Sequence, residues 1–241
     1  MKTAKWIIFI VLFGIGAYFI LNQKVPQITN QNTIETDSLK PEVKKRFDEN
    51  GLLKADVEVL NGVNHGKAHN YYDNGSVHSE ISYKYGIKDG NSIWYYENGK
   101  PYRITPFKDN RMHGIQQKFY KSGKLMAEIP YMNDSIIEGT KEFSETGQIL
   151  DEKLPFQIKK INGNNNDQVF IEITSKKKDI IEDAYAKYSF KDKAMISKAS
   201  IEGKNYLIPI STSGSFVPPV TIIVIYKTKM NNLKMVSSVL N

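Results

Sequence analysis

The chain reads as a mainly β protein: a meandering single sheet of about five 24-residue β-hairpin repeats, then a small β-sandwich, with an N-terminal transmembrane helix in front. Three observations lead there. Glycines recur at a constant interval of 24 residues, short alternating apolar runs fill the last third, and an unbroken apolar stretch lies near the start.

The apolar stretch comes first along the chain. Met1-Lys2-Thr3-Ala4-Lys5 precedes a run of 16 apolar residues or glycines from Trp6 to Leu21, and Asn22, Gln23 and Lys24 follow. As a helix rising ~1.5 Å per residue the run spans roughly 24 Å, a little short of a ~30 Å hydrocarbon core. Snorkelling of Lys5 and Lys24 or local thinning closes the gap. Residues 1–22 are therefore expected to be a membrane anchor, with a cleaved secretory signal as the alternative. In either case Lys2 and Lys5 stay inside. The bulk of the chain is then exported, as a single-pass periplasmic or extracellular protein or as a secreted one. Residues 23–46 are polar, with Pro26 and Pro41, and read as a linker.

Residues 47–163 carry the repeats. Gly51, Gly75, Gly99, Gly123 and Gly147 stand 24 apart, each preceded by an aromatic stretch such as Tyr71-Tyr72-Asp73-Asn74 or Tyr95-Tyr96-Glu97-Asn98. Two residues after each glycine comes Leu53, Val77, Pro101, Leu125 or Ile149. Eight after it comes Val59, Tyr83, Phe107 or Tyr131, with Phe156 one place late. A second glycine closes the unit at Gly66, Gly90, Gly114, Gly139 and Gly163. Each unit is expected to be an aromatic strand, a two-residue Asn-Gly turn with both residues at φ > 0, and a second strand, with the second glycine turning the chain into the next hairpin. A lone hairpin is barely stable, so stacking must bury the shared aromatic positions. Strand alternation puts Tyr71, Tyr95, Phe119 and Phe143 on one side and Tyr72, Trp94, Tyr96 and Tyr120 on the other. The second set is the candidate binding surface, because Tyr and Trp join apolar area to a polar handle.

Trp94-Tyr95-Tyr96-Glu97-Asn98-Gly99-Lys100 with His113-Gly114 resembles the MORN-repeat family in its shorter bacterial variant. The resemblance covers about half the chain and implies a single sheet of successive hairpins. For function it implies scaffolding, protein binding or membrane association, and some bacterial members are labelled antitoxins of toxin–antitoxin pairs. Asp48 and Ser144 replace the second tyrosine in the end copies, as befits degenerate caps.

Residues 164–241 alternate short apolar strands with turns: Gln168–Thr174, Ala184–Phe190, Asn205–Ile210, Val220–Lys227 and about Leu233–Val239. An immunoglobulin-like sandwich is expected, with the last two strands joined at Asn231-Asn232. Ile222-Ile223-Val224-Ile225 is too apolar for an edge and should be central. Lys176-Lys177-Lys178 should tip a hairpin.

The net charge of +7 sits in this last region, where residues 153–241 hold 14 Lys, no Arg and 7 acids. An Arg-free surplus is a poor nucleic-acid signal and reads as a solvated face, or as a patch for anionic lipid. With no cysteine, thiolate chemistry and disulfides are excluded. His65 and His113 share one repeat position, and His65 and His69 lie on a strand, where helical metal spacing is lost. No Gly-rich phosphate loop and no G-x-S-x-G elbow occurs. No catalytic residue, metal or cofactor is expected. The reading is a non-enzymatic, membrane-tethered scaffold for a protein partner, with a lipid-surface module and a toxin-neutralising antitoxin or immunity protein as alternatives.

Overall fold

A computed structural model describes residues 41–240 except 151–152, 163–167, 176–179, 203–204 and 213–218. The expected anchor, most of the linker, Gly163 and the Lys176–Lys178 cluster lie outside the described residues. Every regular element among those described is a β-strand.

The first sheet is an antiparallel meander of β1 (Glu42–Phe47), β2 (Leu53–Leu60), β3 (Val63–Tyr71), β4 (Val77–Lys84), β5 (Ile87–Tyr95), β6 (Pro101–Lys108), β7 (Arg111–Met112), β8 (Gly114–Phe119), β9 (Leu125–Met132), β10 (Ser135–Ile136) and β11 (Lys141–Glu142). β1 falls inside the stretch expected as linker. All six of its residues are exposed, and it is held by backbone pairing to β2. Such an edge strand has no apolar pattern to betray it.

Two kinds of turn alternate, and neither matches the expected assignment. At the Asn-Gly positions only the glycine has φ > 0: Gly75 at 80° and Gly99 at 78°. The Gly75 N–H donates to Tyr72 O at 2.9 Å and the Tyr72 N–H donates to Ser76 O at 2.8 Å. This is a three-residue loop, a type I turn closed by a left-handed glycine, with a register bulge beside it. The Asn side chain is used too, since Asn74 Oδ1 accepts from Ser76 N at 2.9 Å and Asn98 Oδ1 from Lys100 N at 3.1 Å. An asparagine holding this bond has no need of φ > 0.

The two-residue turns lie elsewhere, at Asn61-Gly62, Tyr85-Gly86, Asp109-Asn110 and Asn133-Asp134, where both residues have φ between 50° and 81°. The second glycines are not turn residues. Gly66 and Gly90 sit within β3 and β5 and Gly114 opens β8, with φ of 104°, 101° and 116°. Each faces one residue across the ladder. A Cβ on Gly114 would stand 3.0 Å from Pro106 Cγ and one on Gly90 3.2 Å from Ser82 Cβ, while Gly66 and Gly139 face Glu58 and Pro130. The interval of 24 thus also governs a bulge, because Glu58, Ser82, Pro106 and Pro130 recur with it.

The fifth copy is truncated. Phe143 bridges Ile149, and the next strand, which holds Phe156, belongs to another sheet.

That strand, β12 (Phe156–Asn162), joins β13 (Gln168–Ser175), β17 (Asn205–Ser211) and β16 (Ser200–Glu202). A facing sheet orders β15 (Lys193–Lys198), β14 (Ile181–Phe190), β18 (Val220–Lys227) and β19 (Leu233–Leu240). Ile171, Ile173, Ile208 and Ile210 from one sheet and Ala184, Ala186, Ile222, Val224 and Tyr226 from the other form one buried core. Their period of two follows from strand geometry. The five expected strands are present, and β12, β15 and β16 are additional.

β18 is interior, as its composition implies, and its second apolar side has a use. Ile225, with Leu233 and Met235 of β19, packs on Ala127, Ile129 and Ile136 of the repeat sheet. A polar lock adjoins this contact. Glu142, 4% exposed, accepts from Thr228 Oγ1 and from Nδ2 of Asn232, 1% exposed, each at 2.6 Å, and Lys118 Nζ donates to Asn232 Oδ1 at 2.6 Å. Burial, and then the nearby Arg103, hold the Lys118 ammonium below the ordinary lysine range.

Candidate binding face of the repeat sheet

Cross-strand pairing places one continuous row on one side of the sheet: Arg46, Ala55, Asn70, Ser79, Trp94, Arg103, Lys118, Ala127 and Glu142. A parallel row two residues along each strand contains Val57, Ala68, Ile81, Ser92 and Thr105. A third carries the repeated Val59, Tyr83 and Phe107, two further along. Small polar residues lie deep between these larger ones. Ser79, Ser92 and Thr105 are 3%, 1% and 2% exposed, and Gln116 Nε2 donates to Thr105 Oγ1 at 3.0 Å.

The sandwich contacts the β9 end of this Trp94 face. Toward β1 the face opens into a depression of about 630 Å³, lined by Arg46, Asn70, Ser79, Ile81 and Trp94 together with Lys54, Tyr71 and His78. Asn70 Nδ2 donates to Ser79 Oγ at 3.0 Å across its floor. Beside it a second hollow of about 370 Å³ includes Tyr72, Asp73 and Glu97 and shares Tyr71 and His78. The Arg103 guanidinium lies 4.1 Å from the centre of the Trp94 ring and 5.6 Å from that of Tyr102. Its Nε is buried and has no hydrogen-bond acceptor among the described residues.

The opposite side is a charge ladder. Lys45, Asp56, His69 and Glu80 are successive cross-strand neighbours. His69 Nδ1 is 2.8 Å from Asp56 Oδ1 and its Nε2 is 3.4 Å from Glu80 Oε2, while Lys67 pairs with Glu80. Tyr71 donates to Asp56 Oδ2 at 2.7 Å. Burial raises the Asp56 carboxyl, but hydrogen bonds from Tyr71 and His69 outweigh it and leave the group below its ordinary value. Burial and the bond to Asp56 push the Tyr71 hydroxyl up to about 12.

The four aromatic candidates divide. Trp94 lies on the face and lines the larger hollow, and Tyr72 lines the smaller one. Tyr72, Tyr96 and Tyr120 stand just past the ends of β3, β5 and β8, so strand alternation does not reach them. Their hydroxyls donate to the carbonyls of Tyr95, Phe119 and Phe143, one repeat on, at 2.7, 2.8 and 2.7 Å. They clip neighbouring hairpins along one margin of the sheet. Along the other, Gly86 N donates to Asn64 O, Asn110 N to Lys88 O and Asp134 N to Met112 O. The repeat-equivalent His65 and His113 meet the next turn in the same way: His65 Nδ1 lies 3.3 Å from Tyr85 N, and His113 Nδ1 lies 3.3 Å from Asn133 Oδ1. Arg46 and Arg103 escape sequence reasoning because they break the repeat: 24 residues on either side of Arg103 stand Ser79 and Ala127.

The sequence pattern of the MORN repeat variant matches residues 64–85, 88–109 and 112–133. Each matched stretch is one hairpin, and the breaks between them fall at the two-residue turns. Three tandem copies of that repeat therefore occupy residues 64–133. No curated protein and no solved structure matches the chain.

Proposed function

We propose that the chain is a non-catalytic repeat scaffold, held at a membrane by Trp6–Leu21, that receives a protein partner on the Trp94 face of its hairpin sheet outside the cytoplasm. The observation that carries this reading is the asymmetry of that face. The sandwich packs on its β9 end, whereas the stretch from β1 to β5 presents Trp94, Ile81 and a hollow of about 630 Å³ to solvent. Tryptophan and arginine are both enriched among the residues that anchor protein interfaces. The sandwich, whose strand order β12-β13-β17-β16 over β15-β14-β18-β19 fits an immunoglobulin-like arrangement, acts as a prop for the repeat sheet.

Photo-crosslinking in intact cells tests this. A benzophenone residue at position 78 or 94 should give discrete protein adducts, and one at the exposed Ile196 of the sandwich should not. Adducts with lipid alone would favour a membrane-surface module. Equal labelling from position 196, or none from the repeats, would remove the scaffold reading.

A further inference from the structure

The row from Arg46 to Arg103 has a charge pattern that nothing else in the fold consumes. Lys54, which shares the hollow, is already paired with Asp73 and Asp48. Lys118, one strand beyond Arg103, is bound to Asn232. Arg46 and Arg103 remain, and neither has a carboxylate or other hydrogen-bond acceptor among the described residues. None of the residues lining the hollow is acidic. Between the two arginines the floor is Ala55, Asn70 and Ser79, ending at the Trp94 ring. Small side chains there leave room for a second backbone, and the half-buried Asn70 amide offers polar contacts to it. Arg46 and Arg103 are separated by five strand spacings, roughly 24 Å at ~4.8 Å each, which equals about seven residues of extended chain at ~3.3 Å per residue.

We propose that this trough seats an extended acidic segment of the partner, laid across the strands, with one carboxylate on Arg46, another on Arg103 about seven residues away, and a side chain against Trp94. Stacking on Trp94 holds the Arg103 guanidinium flat, and with its Nε buried the carboxylate is taken by the two terminal Nη groups, whose spacing matches its two oxygens. A phospholipid surface fits less well, because the cations lie at the two ends of a narrow floor and the lysine-rich region is in the other module. The inference rests on the scaffold reading and is narrower than it.

The test uses the full chain in nonionic detergent and a fluorescent nine-residue probe, Glu-Ser-Ser-Ser-Ser-Leu-Ser-Glu-Ser, with the two Glu residues seven apart and the Leu two from the second, because Trp94 is one strand from Arg103. Its counterpart carries Gln in place of both. Fluorescence anisotropy should show binding of the acidic probe, at least tenfold weaker binding of the Gln probe, and at least tenfold loss with Arg103→Gln. Arg46→Gln should give a similar loss, and because Arg46 is exposed on an edge strand that variant keeps the fold. Lys193→Gln on the sandwich should change nothing. Equal binding by wild type and both arginine variants, or equal binding of both probes, overturns the proposal. So does arginine-dependent sedimentation with phosphatidylglycerol vesicles in the absence of peptide binding. Crosslinking from position 78, which lines the hollow without belonging to the seat, separates the two levels: adducts that persist unchanged in the Arg46→Gln/Arg103→Gln double variant leave the scaffold standing and remove the acidic seat.

Discussion

Glu142 is an acid with almost no access to water, and its Oε1 serves two donors from the second module, Thr228 and Asn232. Truncation leaves both donors buried and unsatisfied, so Glu142→Ala should cost about 2–4 kcal/mol in urea unfolding. Tyr71 makes a different prediction. Its folded value of about 12 lies above the ~10 of an unfolded tyrosine, so the unfolded chain loses this proton first as pH rises. The contribution is complete below pH ~10 and disappears between about 10 and 12. Asp56 runs the other way: its lowered value gives stability that is present above about pH 4 and lost in stronger acid. Unfolding midpoints measured across this range should fall less steeply above pH 10 in Tyr71→Phe than in wild type. The three clip tyrosines should each lose about 1 kcal/mol as Phe, the usual net value of one hydrogen bond, and Tyr72→Phe with Tyr120→Phe should add, since the sites are two repeats apart.

At the scale of the hairpin, two sets of glycines share an interval but have different duties. The first set closes three-residue loops in open space: Gly75 has φ of 80° and no atom where its Cβ would lie. Asparagine tolerates that conformation, so Gly75→Asn should cost under about 1 kcal/mol. Gly114 combines φ of 116° with a 3.0 Å approach to Pro106, and Gly114→Ala should cost about 2 kcal/mol or more by thermal denaturation. The interval itself was plain in the sequence, because a left-handed loop residue has few substitutes. The duty of the second set was hidden, because its cause lies across the ladder in residues as unlike as Glu58, Ser82 and Pro130. The two-residue turns were hidden for a similar reason. Tyr85-Gly86 and Asp109-Asn110 share a backbone shape and no composition. Trp94 could be picked out as an aromatic in a repeat, whereas Arg103 became visible only once pairing set it beside that ring.

For the molecule as a whole, the contact between the sheet and the sandwich decides how it unfolds. The apolar patch of Ile225, Leu233 and Met235 and the Glu142 lock join two modules that each have their own strand pairing. Wild type should unfold in one calorimetric transition, and Glu142→Ala should separate it into two. The all-apolar run of β18 announced an interior strand, but its second companion is another sheet, contributed by residues some 90 positions earlier. No local pattern encodes such a meeting.

The Tyr72, Tyr96 and Tyr120 clips, each reaching to the following unit, make the array behave as a ruler that accepts only whole graduations. Duplicating residues 86–109 should lengthen the trough side by two strands and leave every existing bond with an equivalent mate. Duplicating half that length would reverse the chain direction and strand the hydroxyls. Evolution of this surface is therefore expected to proceed by gain or loss of complete periods, with reach changing in steps of roughly 10 Å.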